Sequence, residues 1–125
     1  MTKILIAEDE KDIRDLVVFS LTYGGFEAIA AANGTDAIAM AEAELPDLIL
    51  MDVRMPQMSG YDACAKLKLN PATRDIPIVF LSAKGQEAEI RKGLSAGAEE
   101  YILKPFAPDE LVRRVQEILR RLGRG

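Results

Sequence analysis

The segment that most constrains the fold is the short run at residues 46–52, which reads Pro-Asp-Leu-Ile-Leu-Met-Asp and ends at a carboxylate. An apolar run of this length between chain breakers is typical of a strand buried on both faces, as at the centre of a parallel sheet. We therefore predict that Asp52 stands at the carboxyl end of a central strand. Ligands of open α/β sheets bind at that edge, and a buried carboxylate there needs a cationic partner.

Four other segments also predict short buried strands, and apolar residues at helical spacing lie between them. The predicted strands are 3–7, 26–30, 46–52, 77–81 and 100–103, and the predicted helices are 11–23, 33–45, 60–69, 87–96 and a last helix from residue 108 that buries Leu111, Val115, Ile118 and Leu122. Such alternation indicates one α/β domain over residues 1–125, a doubly wound parallel sheet with helices on both faces. Right-handed crossovers leave few strand orders, of which we predict 2-1-3-4-5.

The amino-acid composition restricts the chemistry. The chain has no histidine, which excludes Ser-His-Asp and Cys-His catalysis, histidine zinc sites and a phosphohistidine of its own. Its single cysteine, Cys64, is interpreted as a buried structural thiol. The net charge of -4 argues against direct binding of nucleic acid by this domain. No apolar stretch approaches the roughly 20 residues of a membrane span, and the chain leads straight into a strand, so we expect a cytoplasmic protein without membrane contact.

Polar side chains follow four of the five predicted strands. Glu8 and Asp9 come after the first strand, Asp52 ends the third, Ser82 follows the fourth and Lys104 follows the fifth. Since strands 1 and 3 are neighbours in the predicted order, three carboxylates converge, and such oxygen ligands suit Mg²⁺ or Mn²⁺ over zinc or copper. A carboxylate nucleophile, a divalent ion, a hydroxyl and an ammonium together form a phosphoryl-transfer site.

Each of these residues alone has an ordinary structural explanation. The acidic run 8–10 would be a solvated loop or a helix start, Ser82 a turn or cap residue, and Lys104 a surface lysine. Tyr101 would be a core or edge aromatic. Their joint placement at the ends of separate strands favours the functional interpretation.

A family resemblance covers essentially all of the chain. It is carried by Glu8-Asp9, by the strand 47–52 with Met55-Pro56 and Ser59-Gly60 after it, by Leu81-Ser82-Ala83, by Gly97-Ala98-Glu99-Glu100-Tyr101 and by Lys104-Pro105-Phe106. In these motifs the chain resembles the receiver domain of bacterial two-component response regulators, including the chemotaxis regulator and winged-helix transcriptional regulators. The resemblance implies a flavodoxin-like fold and a phosphorelay function. It also implies a phosphoacceptor switch that catalyses its own phosphorylation and a slow autodephosphorylation.

The resemblance also implies the roles of the acidic residues. Asp52 is expected to be the phosphoacceptor, and Asp9 and Asp52 are expected to ligate Mg²⁺ directly. Glu8 would act through a metal-bound water, and Arg54 would offer its backbone carbonyl to the ion. Glu8 stands where aspartate is frequent in the family, but it keeps the carboxylate that the role needs.

The remaining roles concern the switch. Ser82, where threonine is frequent, resembles the switch hydroxyl, and Lys104 resembles the phosphate-binding lysine. Tyr101 resembles the aromatic that turns inward once the site is occupied. Lys104-Pro105 resembles the family's cis peptide bond, and Arg54 with Lys84 would influence the lifetime of the acyl phosphate.

The expected partner is a sensor histidine kinase or phosphotransfer protein that presents a phosphohistidine. Phosphorylation would bias the surface formed by the predicted helix 87–96, the fifth strand and the last helix, and this surface would control an effector. Both signs of charge occur along it, at Lys92, Glu99, Glu100, Glu110, Arg113 and Arg114. The pattern is similar to receivers that pair symmetrically through this face, although solvated surface charge explains it equally simply.

Other functions fit the sequence less well. A phosphohydrolase with an aspartyl nucleophile would carry a second acid two residues on, where this chain has Arg54. A flavin or dinucleotide binder needs a phosphate-binding loop after strand 1, and acidic residues 8–10 would repel phosphate. The alternative that stays open is a receiver-like interaction module that signals without phosphorylation. Residues 122–125 could equally end a stand-alone receiver or begin a linker to an effector.

Overall fold

The computed structural model describes residues 1–82, 91, 95, 97–104 and 106–123. In this part of the chain the strands are β1 Lys3–Ala7, β2 Glu27–Ala31, β3 Leu48–Asp52, β4 Ile78–Ser82 and β5 Glu100–Leu103. The helices of the same ranges are α1 Lys11–Tyr23, α2 Gly34–Glu44, α3 Gly60–Leu69 and the C-terminal helix Pro108–Arg121. The predicted helix 87–96 lies, apart from Arg91 and Ser95, outside the described residues.

The five strands form one parallel sheet in the order β2-β1-β3-β4-β5, which confirms the predicted topology. All five residues of β3 and all five of β4 are buried. The register pairs Ala7 with Met51, Asp52 with Leu81 and Ser82 with Leu103. The carboxyl ends of β1, β3, β4 and β5 therefore meet at one edge, as the sequence predicted.

Two apolar cores lie on opposite faces of the sheet. Because side chains alternate along a strand, Ile49 and Met51 of β3 join the core that contains α2 and α3 residues. Leu48 and Leu50 join the other core, with residues of α1 and the C-terminal helix such as Val115. Helices thus cover both faces, which explains why the strands read as unbroken apolar runs.

Local signals set the helix ends. The Asn33 side chain caps α2 by accepting a hydrogen bond from the Asp36 backbone N–H at 2.8 Å, as predicted. The C-terminal helix begins at Pro108 and carries acidic residues in its first turn, also as predicted. One burial prediction was wrong: Leu122 lies beyond the end of this helix and is only half-buried, whereas Leu119 is buried.

The second strand begins one residue later than predicted. The Phe26 N–H bonds back to the Leu21 carbonyl at 3.0 Å, within the turn that ends α1, and the sheet pairing starts at Glu27. Among the described residues, no helix combines the length and the apolar character needed to cross a bilayer.

Candidate functional site

Three carboxylates meet at the carboxyl edge of the sheet. Glu8 and Asp9 follow β1 and Asp52 ends β3, and each of the three offers an oxygen atom within 4.8 Å of the others. Glu8 is fully buried and Asp52 is 6% exposed. Since carboxylates this close repel each other and two of the three are buried, the cluster requires positive charge, and its oxygen-only donor set fits a hard divalent ion.

Lys104 supplies one positive charge to this cluster. Its Nζ donates hydrogen bonds to Glu8 Oε1 at 2.7 Å and to Asp52 Oδ1 at 3.2 Å. Lys104 directly follows the last residue of β5. Its backbone is held in place because the Lys104 N–H donates to the Ser82 carbonyl at 2.8 Å. Three carboxylates and one ammonium leave two negative charges when all are ionised, which is the charge of one divalent cation.

Burial and the neighbouring charges shift the pKa values of this pair. Burial raises the pKa of Glu8 to about 7; the hydrogen bond from Lys104 opposes the shift, and Asp52 adds to it. Burial works to lower the pKa of Lys104, but the hydrogen bond to Glu8 and the charges of Asp52 and Glu8 outweigh it and raise that pKa. Lys104 is therefore held in its charged form beside Asp52.

A cleft opens above these residues. Its volume is about 260 Å³, and it is lined by Asp9, Glu10, Asp52, Val53, Arg54, Ser82 and Lys104. Ser82, at the end of β4, is 4% exposed and lines the cleft together with Asp52. The structure thus brings together the predicted acids, hydroxyl, ammonium and Arg54 around one small volume.

The loop after Asp52 is held tightly against the strand. The Val53 N–H donates to the Leu81 carbonyl at 3.2 Å, and the Gly60 N–H donates to the Val53 carbonyl at 2.8 Å. A Cβ on Gly60 would lie 2.3 Å from the Asp52 carbonyl oxygen, so only glycine fits there. This packing fixes the position of the Asp52 backbone and the residue at which α3 begins.

The predicted switch residue Tyr101 is buried. It is 8% exposed on β5, and its ring lies 5.6 Å from that of Phe80, centroid to centroid. Its hydroxyl lies 2.8 Å from the hydroxyl of Tyr61 on α3. The inward movement on occupation of the site stays a prediction. The Lys104–Pro105 peptide bond and the predicted positions of Lys84 and Lys92 lie outside the described residues.

Sequence reasoning missed two residues that shape this region. Arg14 donates from Nη1 to the carbonyl oxygens of Glu8 at 2.9 Å and of Asp9 at 3.3 Å, which fixes the acidic loop from α1. Tyr61 reaches Tyr101 through its hydroxyl. No sequence pattern reveals a bond to backbone carbonyls, and an aromatic in a helix is usually just core. The only available signal was the position of Tyr61 directly after Gly60.

The chain is similar in sequence to one known protein family over most of its length. The family model described as "Response regulator receiver domain" matches residues 4–116. The phosphate regulon transcriptional regulatory protein PhoB of Pseudomonas aeruginosa is 44% identical over 98% of this chain and 53% of its own length. PhoB of Escherichia coli is 42% identical over 97% of this chain and 53% of its own length. The chain thus spans about half the length of these curated relatives.

Two solved structures resemble the structure of this chain over nearly all of its length. The chemotaxis protein CheY4 of Vibrio cholerae superposes with a TM-score of 0.91 and 31% identity, covering 95% of this chain and 99% of its own. The receiver domain of the sensor histidine kinase PA1611 of Pseudomonas aeruginosa superposes with a TM-score of 0.85 and 32% identity, over 93% of this chain and 95% of its own. That receiver was crystallised with a magnesium ion coordinated in its active site cleft.

Proposed function

Since the chain belongs to the response regulator receiver domain family, we propose that residues 1–125 form one receiver whose Asp52 accepts a phosphoryl group in a Mg²⁺-dependent reaction. Receivers of this family take a phosphoryl group on an aspartate and coordinate magnesium. The observation that carries the proposal is the buried Asp52 carboxylate, hydrogen-bonded by the Lys104 ammonium at 3.2 Å within a cluster of three acids.

The metal ligands proposed for this chain are Asp9 and Asp52 directly, Glu8 through water, and the backbone carbonyl of Arg54. The donor set supports this, because the three carboxylates offer oxygens within 4.8 Å of one another and their summed charge exceeds that of Lys104 by two. Mn²⁺ suits the same oxygen ligands. When bound, the ion would neutralise charge on the phosphoryl oxygens.

The proposed step is an in-line transfer from a phosphohistidine of a sensor histidine kinase or phosphotransfer protein. An Asp52 oxygen forms a bond to phosphorus while the bond between phosphorus and the donor's imidazole nitrogen breaks, and that nitrogen keeps the electron pair. Lys104 stabilises negative charge on the transferred group and holds Asp52 in orientation. Hydrolysis of the acyl phosphate by water would return Asp52 slowly to its carboxylate.

The proposed switch begins with the charge added at Asp52. Phosphate oxygens offer acceptors for the hydroxyl of Ser82, a residue that lines the same cleft. Movement of Ser82 would act on Tyr101 through β4 and β5, which are paired neighbours in the sheet. The surface of the predicted helix 87–96, β5 and the C-terminal helix would then present a changed face to an effector.

Pairing of two phosphorylated receivers through this face is part of the proposal. Glu100 of β5 contacts Arg114 at 3.9 Å and Arg121 at 3.3 Å, and all three side chains are at least 30% exposed. Opposite charges on one exposed face allow a two-fold pairing in which the same residues exchange partners between copies. The choice of output is motivated by the PhoB relatives, which are named as transcriptional regulatory proteins and of whose length this chain spans about half.

Intact mass spectrometry tests the phosphoacceptor. The protein is incubated with Mg²⁺ and acetyl phosphate, and we expect a gain of one phosphoryl mass that the variant Asp52→Asn does not show. Asp47→Asn is the matched control, because Asp47 precedes the opposite end of β3, where its Oδ2 accepts from the Lys3 N–H at 2.8 Å. This variant is expected to gain the group as the unchanged protein does.

Two results would decide against the proposal. No mass gain under conditions that support Mg²⁺ binding would favour the interaction module that signals without phosphorylation. An equal gain in Asp52→Asn would place the acceptor elsewhere. Sedimentation of the phosphorylated protein tests pairing separately, because a protein that stays monomeric after complete phosphorylation contradicts only the dimer.

A further inference from the structure

A buried pair of tyrosine hydroxyls, one of them on the proposed switch residue Tyr101, takes no part in the proposed phosphoryl transfer. Tyr61 on α3 and Tyr101 on β5 are 40 positions apart, yet their hydroxyl oxygens lie 2.8 Å from each other. Tyr61 is 9% exposed and Tyr101 is 8% exposed. A hydrogen bond between two such buried hydroxyls orients both rings, because a hydroxyl that loses its partner away from water is costly.

A third aromatic ring fixes the geometry of this pair. The Phe80 ring of β4 packs edge to face against Tyr61, with centroids 5.1 Å apart, and lies tilted against the Tyr101 ring at 5.6 Å. Phe80 is fully buried and pairs directly with Tyr101 in the sheet. The two tyrosines therefore meet over a rigid ring that belongs to the strand ending at Ser82.

The position of Tyr61 follows from the loop after Asp52. Tyr61 comes directly after Gly60, whose N–H bonds to the Val53 carbonyl and whose Cα faces the Asp52 carbonyl too closely for a Cβ. Any shift of Asp52 or Val53 is thus transmitted to the first turn of α3. On the other side, Tyr101 lies three residues before Lys104 on the strand that positions this ammonium.

We propose that Tyr61 is a positioning residue whose hydroxyl holds Tyr101 in its buried position and so couples the loop after Asp52 to β5. The regulatory part rests on the proposed function, since the coupling acts on the output surface only when Asp52 is phosphorylated. Movement of Tyr101 out of the core breaks this hydrogen bond, so the Tyr61 hydroxyl shifts the equilibrium toward the buried conformer. By linkage, occupation of Asp52 and burial of Tyr101 favour each other.

The first test measures the position of Tyr101 directly. The protein is labelled with 3-fluorotyrosine, and a soluble gadolinium chelate broadens the ¹⁹F signals of solvent-exposed rings. Tyr23, which is 87% exposed, serves as the internal reference. We expect the Tyr101 signal to be protected in the unchanged protein and to broaden severalfold more in Tyr61→Phe, which keeps the ring against Phe80 and removes only the hydroxyl.

The matched control for this measurement is Tyr23→Phe, which removes an exposed hydroxyl from α1 and is expected to leave the Tyr101 signal unchanged. Equal protection of Tyr101 in Tyr61→Phe and in the unchanged protein would overturn the proposal. Thermal unfolding of Tyr61→Phe confirms that the variant is folded at the temperature of the spectra.

The second test measures the coupling to the site. Binding of Mg²⁺ with beryllofluoride, a phosphoryl mimic, is titrated by calorimetry in Tyr61→Phe, Tyr101→Phe and the double variant. We expect each single variant to bind three- to tenfold more weakly, as the loss of one buried hydrogen bond allows, and the double variant to bind no more weakly than either single one. Single effects that multiply in the double variant would show independent hydroxyls and overturn the coupling.

The two tests separate this inference from the proposed function. If the unchanged protein gains the phosphoryl group but Tyr61→Phe binds beryllofluoride equally well, only the coupling is overturned. If the unchanged protein gains no phosphoryl group while Tyr61→Phe releases Tyr101, the proposed function fails and the positioning role of Tyr61 stands.

Discussion

Lys104 is the residue on which the electrostatics of the site depend. It contacts Glu8 at 2.7 Å and Asp52 at 3.2 Å, and its side chain is only 15% exposed. Removal of one partner from a buried ion pair leaves an uncompensated charge, which costs about 3–5 kcal/mol in typical proteins. The same ammonium that would bind a phosphoryl group thus also keeps the acids compatible with a folded site before transfer.

Cys64 shows how burial at a single residue produces a dependence on pH. The thiol is fully buried in α3, and burial raises its pKa to about 11 from an ordinary value of 9.0. The thiol of the unfolded chain ionises near pH 9, whereas the thiol of the folded protein keeps its proton up to about pH 11. The thiol's contribution to stability is therefore complete below pH 9 and is lost as the pH rises toward 11. We expect the stability difference between the unchanged protein and Cys64→Ala to shrink by about 1 kcal/mol from pH 8 to pH 10.

Urea unfolding at both pH values measures this change. Titration of the tyrosines and lysines is common to the two proteins and cancels in the difference. A stability difference that stays constant from pH 8 to pH 10 would show that the thiol ionises in the folded protein as readily as in the unfolded one.

At the scale of elements, the junction between β3 and α3 requires a residue without a Cβ at position 60. A Cβ at Gly60 would stand 2.3 Å from the Asp52 carbonyl oxygen, and both groups are backbone-fixed. We expect Gly60→Ala to lower the free energy of unfolding by about 1–3 kcal/mol through overpacking. Phosphoryl uptake at Asp52 should slow as well, since relief of the clash moves the strand end. Urea unfolding and a time course of intact mass measure the two effects.

Gly34→Ala is the control for this junction. A Cβ at Gly34 would lie 3.0 Å from the Met58 sulfur and 3.2 Å from the Met58 Cβ and Cγ, so a shift of this side chain by a few tenths of an ångström relieves the contact, whereas the contact at Gly60 is with backbone. Gly34 also opens α2, where alanine favours the helix. We expect its stability to stay within about 1 kcal/mol of the unchanged protein. Equal stability of both alanine variants would mean that the loop after Asp52 is looser than its close contacts suggest.

At the scale of the whole molecule, the sequence predicted the features that depend on the carboxyl edge of the sheet. Strand identity and the meeting of Glu8, Asp52 and Lys104 followed from apolar runs that stop at polar residues, because parallel strands place their carboxyl ends together. The contacts of Arg14 and Tyr61 could not be predicted in this way. They depend on how α1 and α3 pack against the sheet, and side-chain reach across elements has no signature in residue spacing.

Stability of the whole domain should respond to magnesium, because the acid cluster forms only when the ends of β1 and β3 are brought together. Mg²⁺ that binds this cluster in the folded state alone raises the free energy of unfolding, by about 2.7 kcal/mol at a concentration one hundred times its Kd. We expect this gain in thermal unfolding of the unchanged protein and its loss in Asp9→Asn, which removes a proposed ligand from the cluster. Asp12→Asn, an exposed acid in the first turn of α1, should keep the gain. An equal rise in all three proteins would instead indicate general screening of the net charge of -4.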